Sequence, residues 1–181
     1  MKTRLALSGD VEQLEKLERL YQNDELGDAS QAGGFDGQVF GSKDLRNLIE
    51  KGWIVVAEEK QVILGYVIAG PWPLFETGPV YRHILARLQR VEFGSAKLTK
   101  TNSCQYGPIW IHPEYRGQGT FEFLVSTLKE HVRAKYPFMI TFIAEDNMIS
   151  FSAHTNKASM QVLDFFTFDD RDYYLLVLPT Q

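Results

Sequence analysis

The sequence holds few of the residues that support disulfide, zinc or membrane architectures. Its 181 residues include a single cysteine, Cys104, which excludes an internal disulfide and a zinc site built from clustered thiolates. The longest stretch without a charged residue runs only from Gln61 to Phe75. That stretch contains two glycines and two prolines and is shorter than the roughly 18 apolar residues of a membrane-spanning helix. We therefore expect no membrane partner.

Positive charge is also scarce. Lys and Arg number 19 against 23 Asp and Glu, so the formal net charge is −4. A chain of this charge has no global basic field to attract nucleic acid or an anionic membrane surface, and we expect neither partner. The four histidines lack a ligand spacing such as His-x-x-x-His, so no metal site is expected.

The composition favours a folded protein. Hydrophobic residues make up 44% of the chain and aromatic residues 13%, which is enough to bury a core. The length is ordinary for one domain, so we predict a single domain over residues 1–181. The first residues, Met1 to Leu5, lack the long apolar core of a secretion signal, and we therefore expect a cytoplasmic protein.

Hydrophobic periodicity predicts a mixed α/β chain with the order β-α-α-β-β-α-β-α-β-α-β-β. Predicted strands cover residues 3–7, 53–57, 62–69, 104–111, 138–144, 161–168 and 173–178. Predicted helices begin near residues 10, 42, 79, 120 and 148, and a Gly-rich loop covers residues 28–41. The dipeptide Gly107-Pro108 interrupts one strand and indicates an edge strand or a bulge.

The most informative segment is the strand Ile109-Trp110-Ile111 and the loop after it, which contains Arg116, Gly117 and Gly119 and leads into an amphipathic helix. Glycines let the backbone approach a ligand closely. The first amides of a helix lack internal acceptors and lie at the positive end of its dipole, so they bind phosphate well. A plain tight turn would need the same two glycines, and the loop alone does not decide between these interpretations.

The surrounding pattern resembles the GNAT N-acetyltransferase superfamily. In that family an apolar strand and a Pro precede an Arg/Gln-x-x-Gly-x-Gly/Ala loop, as residues 109–119 do here. Downstream, Asn147, Ser150, His154 and residues 157–160 are similar to the family's Asn-x-x-Ser/Ala…Tyr/His…Lys-x-Gly-Phe/Met segment. The likeness is strong over about residues 103–178, and the N-terminal half matches in element order alone. It implies a GNAT-like α/β fold, with a mixed, mostly antiparallel central sheet of six to seven strands flanked by four to five helices.

Two positions depart from the family pattern. Phe121 stands where the family usually has Gly or Ala, so the loop must pack differently on its helix. Ala158-Ser159-Met160 replaces the usual Gly-Phe. Neither change removes a group that the resemblance places on the cofactor.

The resemblance implies acetyl transfer from acetyl-CoA, acting as co-substrate, to an amine acceptor. The loop amides would hold the pyrophosphate, and the strand before the loop would pair with the pantetheine arm. This pairing requires that the strand splay from residues 138–144. Asn147 would hydrogen-bond the pantetheine. The implied cofactor-binding residues are Ile109, Trp110, Ile111, Arg116, Gly117, Gln118, Gly119, Thr120 and Asn147.

Acetyl transfer to an amine needs two proton movements, since the amine must lose a proton and the CoA thiolate leaves more easily with one. His154 falls where the family carries a Tyr or His acid, and its ordinary pKa of about 6.5 would suit that role. A structural histidine on a short helix is the equal alternative. Glu145 could act as the base through water, or could simply favour the dipole of the following helix.

The acceptor is not specified by the sequence. Trp72, Phe75, Tyr81 and Tyr106 are candidates for the wall of its pocket, although such aromatic residues are more often ordinary core. Two other functions stay open: a non-catalytic acyl-CoA sensor on the same fold, and a hydrolase that uses Cys104 as nucleophile. The oligomeric state is open as well, with a homodimer among the options.

Overall fold

A computed structural model describes the backbone of residues 1–29 and 39–181, and the side chains of residues 1–22 and 39–181. Within these residues, seven strands form one sheet in the order β1-β2-β3-β6-β7-β9-β8. The sheet strands are β1 Lys2–Leu5, β2 Trp53–Glu59, β3 Val62–Gly70, β6 Ser103–Ile111, β7 Phe138–Ala144, β8 Gln161–Phe168 and β9 Arg171–Pro179. A separate short hairpin consists of β4 Glu92–Phe93 and β5 Ala96–Lys97.

Only one pair of neighbouring strands in the described sheet is parallel, β6 with β7. Five α-helices accompany the sheet in the described residues: α1 Val11–Ala29, α2 Ser42–Lys51, α3 Pro79–Leu88, α4 Thr120–Val132 and α5 Met148–Ser152. A π-helical turn, Ala153–Lys157, continues α5. The predicted mixed and mostly antiparallel α/β fold is confirmed.

Helices α1 to α4 cover both faces of the sheet because each buries an apolar stripe. On one face, Leu14 of α1, Leu45 of α2 and Ile84 of α3 belong to one apolar core. On the other face, Leu124 and Leu128 of α4 belong to a second core. β3 is buried from Ile63 to Gly70, as expected of a strand with apolar residues on both faces. We call these the α1–α3 core and the α4 core.

The observed boundaries differ from the predicted ones at the N-terminus. The first strand ends at Leu5 rather than Leu7, because Ser8–Asp10 form a 3-10 turn in which the Asp10 carboxylate accepts a hydrogen bond from the Leu7 amide at 2.7 Å. Most of the loop predicted over residues 28–41 lies outside the described residues, although α1 itself continues through Ala29. The hairpin of β4 and β5 was not predicted.

Candidate active site

The two parallel strands separate midway along their length. β6 pairs with β7 only from Ser103 to Gln105, opposite Phe138 to Ile140. Beyond Gln105, β6 continues to Ile111 with pairing to β3 alone among the described strands. Its edge toward β7 therefore has no strand partner over residues 106–111 in this part of the structure, and alternate backbone amides face the gap. The splay that an added strand requires is present.

Gly107 marks the point where β6 bends. Its φ of +100° favours glycine, and the pairing of β6 with β3 shifts register between Val67 and Ala69. The bulge predicted at Gly107-Pro108 is therefore confirmed. The alternative of an edge strand holds locally as well: β6 lies between β3 and β7, but residues 107–108 fall beyond the paired stretch, where β6 has no partner on the β7 side among the described strands.

A cavity of about 110 Å³ lies in the gap between β6 and β7. Two of its lining residues, Tyr106 and Ile143, belong to the α4 core, whereas two others, Tyr81 and Tyr173, belong to the α1–α3 core. The cavity therefore contacts residues from both faces of the sheet.

The loop after β6 leads directly into the N-terminus of α4. A 3-10 turn, Pro113–Tyr115, follows the strand, and Gly117 and Gly119 then take φ values of +72° and +83°. Gly119 is the N-cap residue of α4, so the first amides of that helix follow directly. The Thr120 hydroxyl is buried and donates to the Tyr115 carbonyl at 2.9 Å, which fixes the loop. The geometry is that of an anion site at a helix N-terminus.

Arg116 ties the loop to the end of the strand. Its Nε donates to the Ile111 carbonyl at 2.8 Å, while the residue as a whole is exposed. Of the predicted strand contacts, Ile109 lines the cavity, whereas the side chains of Trp110 and Ile111 are buried in the two cores. Any contact of these last two residues with a ligand in the gap would come from their backbone.

His154 lies in the π-helical turn and is 4% exposed. Its Nδ1 lies 2.7 Å from the Ser150 carbonyl, which can only accept, so Nδ1 carries the hydrogen. Its Nε2 then accepts from the Tyr106 hydroxyl at 3.2 Å. Phe121, one of the departures from the family pattern, packs edge-on against the imidazole with centroids 5.0 Å apart. Burial lowers the pKa of His154 to about 4, so the ring is neutral near pH 7.

Asn147 and Glu145 lie close in sequence but differ in position. Asn147 lines the cavity and caps α5, because its Oδ1 accepts from the Ser150 amide at 3.1 Å. Glu145 is exposed, and it is not among the residues that line the cavity. Its backbone amide bonds to the Asp172 carbonyl at 2.9 Å, which holds the end of β7 against β9.

The four aromatic candidates for the acceptor pocket divide into two pairs. Tyr81 and Tyr106 line the cavity. Trp72 and Phe75 do not, since both are fully buried in the α1–α3 core. The Trp72 indole donates to the Ser103 hydroxyl at 3.1 Å, and the Phe75 ring lies 5.5 Å from that of Tyr81. Their apolar area is used to pack helix α3 and the preceding turn onto the sheet, so we leave these two residues out of the site.

Gln105, Arg171 and Tyr173 are among the cavity residues that were not predicted as part of the site. Gln105 and Tyr173 are each 2% exposed, and neither the Gln105 Oε1 nor the Tyr173 hydroxyl has a hydrogen-bond partner in the described structure. Arg171 lines the cavity from the first position of β9. Residues 171 and 173 share one face of a strand by period-two alternation, but only the observed register, which pairs Tyr173 with Ala144, brings them to the cavity.

Cys104 is fully buried in the α4 core, and it is not among the residues that line the cavity. Burial raises the pKa of its thiol to about 12, so the reactive thiolate is scarce near neutral pH. In the described residues, no group of three His, Cys, Asp or Glu side chains is arranged to hold a metal ion. No helix in this part of the chain has both the length and the apolar character needed to cross a bilayer.

Comparisons with known proteins agree with this geometry. No curated protein matches the sequence significantly. Solved structures match over nearly the whole chain at low identity, and we describe three of them. The ribosomal-protein-alanine N-acetyltransferase of Brucella melitensis has 17% identity and a TM-score of 0.64, with 99% of each chain covered. The phosphinothricin acetyltransferase of Sinorhizobium meliloti, solved with acetyl-CoA, has 17% identity and a TM-score of 0.62, with 98% of this chain and 87% of that chain covered. Arabidopsis thaliana NAA60, also solved with acetyl-CoA, has 14% identity and a TM-score of 0.63, with 98% and 97% covered.

These structural likenesses concern the fold. The family itself is indicated by the sequence, because a model of the acetyltransferase (GNAT) family matches residues 14–156. That match includes helices α1–α5 from Leu14 onward, the splayed strands β6 and β7, and the glycine loop between them. The chain therefore belongs to the acetyltransferase (GNAT) family.

Proposed function

We propose that this protein is an N-acetyltransferase that moves the acetyl group of acetyl-CoA directly to a primary amine in a ternary complex. Membership of the family supports acetyl-CoA-dependent acetyl transfer. The observation that carries the proposal is the separation of β6 from β7 beyond Gln105, next to the N-terminus of α4. The gap offers a strand edge to an extended chain and helix amides to phosphate groups.

The residues around the gap fit acetyl-CoA. Amides from Gly117 to Thr120 would hold the pyrophosphate, helped by the positive φ values of Gly117 and Gly119. The amide of Arg116, also predicted to contribute, already donates to the Pro113 carbonyl at 3.2 Å, so Arg116 would contribute through its side chain. The unpaired edge of β6 over residues 106–111 would hydrogen-bond the pantetheine arm, with Asn147 on the opposite wall. Two of the structural neighbours were solved with acetyl-CoA, which supports this assignment.

The β6 edge would also polarise the reacting carbonyl. When bound, acetyl-CoA supplies an activated thioester to this site. A backbone amide held rigidly in a sheet does not have to reorient when negative charge develops on the carbonyl oxygen of the thioester. Such a preorganised amide can therefore act as an oxyanion donor. Pro108 has no N–H, so the first amide beyond Gly107 is that of Ile109, which lines the cavity and is suited to this task.

Tyr106 is the residue we propose to deliver a proton to the CoA sulfur: its hydroxyl hydrogen would turn from His154 Nε2 to the leaving sulfur, and its oxygen would regain a proton from the nitrogen of the attacking amine. The prediction that His154 does so rested on an ordinary pKa, whereas the buried ring has a pKa of about 4 and is neutral. Tyr106 keeps its proton, because burial raises the pKa of its hydroxyl well above the usual value. His154 then serves as a positioning residue that holds the Tyr106 hydroxyl through Nε2.

The amine must arrive at the cavity without its extra proton. No Asp or Glu is among the described residues that line the cavity. A role for Glu145 as a base acting through water stays a prediction. Gln105 Oε1 lies in the wall and accepts hydrogen bonds, which suits it to orient the neutral amine.

The test combines acetyl-CoA titration by calorimetry with thiol release over a panel of amines. The proposal expects saturable acetyl-CoA binding and turnover with at least one amine. Binding without turnover on any amine would instead favour the acyl-CoA sensor. Absence of binding would contradict both functions.

A further inference from the structure

The charge of the cavity wall indicates which chemical group the acceptor carries in addition to its amine. Among the described residues that line the cavity, Arg171 is the one charged side chain near pH 7, because His154 is neutral there and no Asp or Glu is present. We propose that the acceptor is a zwitterionic primary amine of the amino-acid type, with a carboxylate that binds Arg171. This inference rests on the proposed acetyl transfer and adds the substrate class.

Arg171 is held in a defined position by its neighbours. Its Nη2 donates to the Asp146 carboxylate at 3.1 Å, and its guanidinium lies 5.8 Å from the centre of the Tyr173 ring. The Arg171 side chain is 14% exposed, whereas that of Asp146 is 56% exposed. Asp146 is thus a solvated partner that an incoming carboxylate can join or replace. A planar guanidinium in a fixed orientation selects carboxylates, because its N–H groups match both oxygens at once.

Arg171 would bind the carboxylate of the acceptor, and two buried polar atoms would bind its amine. Gln105 Oε1 and the Tyr173 hydroxyl lack hydrogen-bond partners in the described structure, although both residues are 98% buried and line the cavity. Such groups are costly to bury unless a ligand satisfies them. Because a carbonyl oxygen accepts and a hydroxyl can accept too, the pair suits the N–H groups of an amine.

Arg171 and the amine-binding pair of Gln105 and Tyr173 lie on one side of the sheet. Tyr173 belongs to the α1–α3 core, and Arg171 precedes it by two residues on the same strand. Gln105 alternates with Cys104 and Tyr106, which belong to the α4 core, so its side chain faces the α1–α3 side as well. The Tyr106 and His154 pair lies on the opposite side. The acceptor therefore enters from the face away from the glycine loop.

The same wall disfavours polycations. A polyamine or a lysine-rich segment carries further positive charge, and the described lining offers it Arg171 rather than a carboxylate. Although Arg171 is paired with Asp146, it is Arg171 that lines the cavity, so these amines should be poorer acceptors than an amino acid. The carboxylate of an amino acid, in contrast, is attracted to Arg171.

Matched acceptors test the proposal. Phenylalanine, phenylalaninamide and phenethylamine share one side chain and differ in the group beside the amine, and alanine, alaninamide and ethylamine form a smaller series. Thiol release should give a kcat/KM at least about tenfold higher for the amino acid than for either analogue in at least one series. The amide has the less basic amine and hence the larger reactive fraction, so reactivity alone would favour the amide.

Variants then assign the preference to Arg171. Arg171→Gln should lower kcat/KM for the amino acid at least about tenfold, mainly through KM, and change that of the amide less than threefold. The kcat/KM of Arg171→Lys for the amino acid should lie between those of the wild type and Arg171→Gln. Arg133→Gln, which removes an exposed arginine paired with Glu130 outside the cavity, is the matched control and should change neither.

Three outcomes would overturn the proposal. A wild-type protein that acetylates the amide or the decarboxylated amine as well as the amino acid contradicts it while leaving acetyl transfer intact. An Arg171→Gln effect that is equal for all three acceptors contradicts it as well. Failure of every amine in the presence of bound acetyl-CoA overturns both this inference and the proposed transfer.

Discussion

The Tyr106 hydroxyl lies 3.2 Å from His154 Nε2, and the other ring nitrogen of His154 lies 2.7 Å from the Ser150 carbonyl. Because that carbonyl can only accept, the neutral imidazole has its hydrogen on Nδ1 and its lone pair toward Tyr106. The histidine therefore fixes the direction of the tyrosine hydroxyl, which lines the cavity between β6 and β7. The two side chains act as a unit.

Removing either member of this pair should slow acetyl transfer. We expect Tyr106→Phe to lower kcat at least about tenfold, since a proton donor in the transition state typically contributes 10²-fold or more. His154→Phe should lower kcat by a similar factor, with acetyl-CoA affinity nearly unchanged in both variants. The double variant should be no slower than the slower single one, because the residues share one function.

The pH profile separates this account from histidine acid catalysis. With a pKa of about 4, His154 should give no inflection in kcat between pH 6 and 9. An inflection near pH 6.5 that disappears in His154→Phe would show a charged acid instead. Full kcat in both Tyr106→Phe and His154→Phe would make the pair structural.

Gly119→Val should weaken acetyl-CoA binding by about tenfold or more. Gly119 has a φ of +83°, which a β-branched residue adopts only with strain, so the amides at the start of α4 must shift. Gly94→Val is the matched control, since Gly94 also has a positive φ, +59°, in the turn between β4 and β5. Calorimetry should show reduced affinity in the first variant and wild-type affinity in the second. Equal losses would point to a global effect of strain.

Glu18 should make the folded protein less stable at alkaline pH. Burial raises the pKa of its carboxyl from 4.5 to about 7, despite hydrogen bonds from the Tyr66 hydroxyl and the Phe40 amide. The folded state thus binds the proton more tightly than the unfolded state. The associated stability is fully present below pH 4.5 and is lost as the pH rises through 7, by about 3 kcal/mol in total.

Substitution isolates this contribution from other titrating groups. Glu18→Gln should be more stable than the wild type at pH 8 by about 2 kcal/mol and similar to it at pH 5, as measured by urea unfolding. Glu12→Gln, on an exposed face of the same helix, should show no such difference. The expectation is contradicted if the difference in unfolding free energy between the wild type and Glu18→Gln is the same at pH 5 and at pH 8. The ionised Glu18 carboxylate would then lie in a hydrated site.

Cys104→Ala should leave thiol release from acetyl-CoA within about twofold of the wild-type rate. The thiol is packed in the α4 core and its pKa is raised to about 12, so the change removes apolar contacts rather than a nucleophile. We expect a small loss of stability in thermal unfolding. Abolished turnover in a folded Cys104→Ala protein would revive the thiol hydrolase.

Local signals predicted the scaffold of the site well. The apolar run of β6, the bulge at Gly107-Pro108 and the glycine loop are all encoded within residues 103–119, and their arrangement follows from strand and helix-cap chemistry. The fold class followed from the order of elements. These features depend on neighbours in sequence.

Features that depend on tertiary contacts were not predictable in this way. Phe121 approaches His154 across two helices, and this contact helps to bury the imidazole whose pKa the sequence analysis took as ordinary. Trp72 and Tyr81 are similar aromatic residues of one segment, yet only Tyr81 reaches the cavity. Arg171 comes to the site through the register of β9 on β7. Periodicity assigns a residue to a face and leaves its position along that face open.

Hydrogen–deuterium exchange with and without acetyl-CoA tests the central claim most directly. The account predicts slower amide exchange over residues 106–111 and 117–121 at saturating acetyl-CoA, because the strand edge and the helix amides gain partners. Residues 161–168 of β8, at the far edge of the sheet, should be unchanged. Unaltered exchange in both β6 and the glycine loop at saturation, or protection confined to another surface, would contradict binding in the gap between β6 and β7.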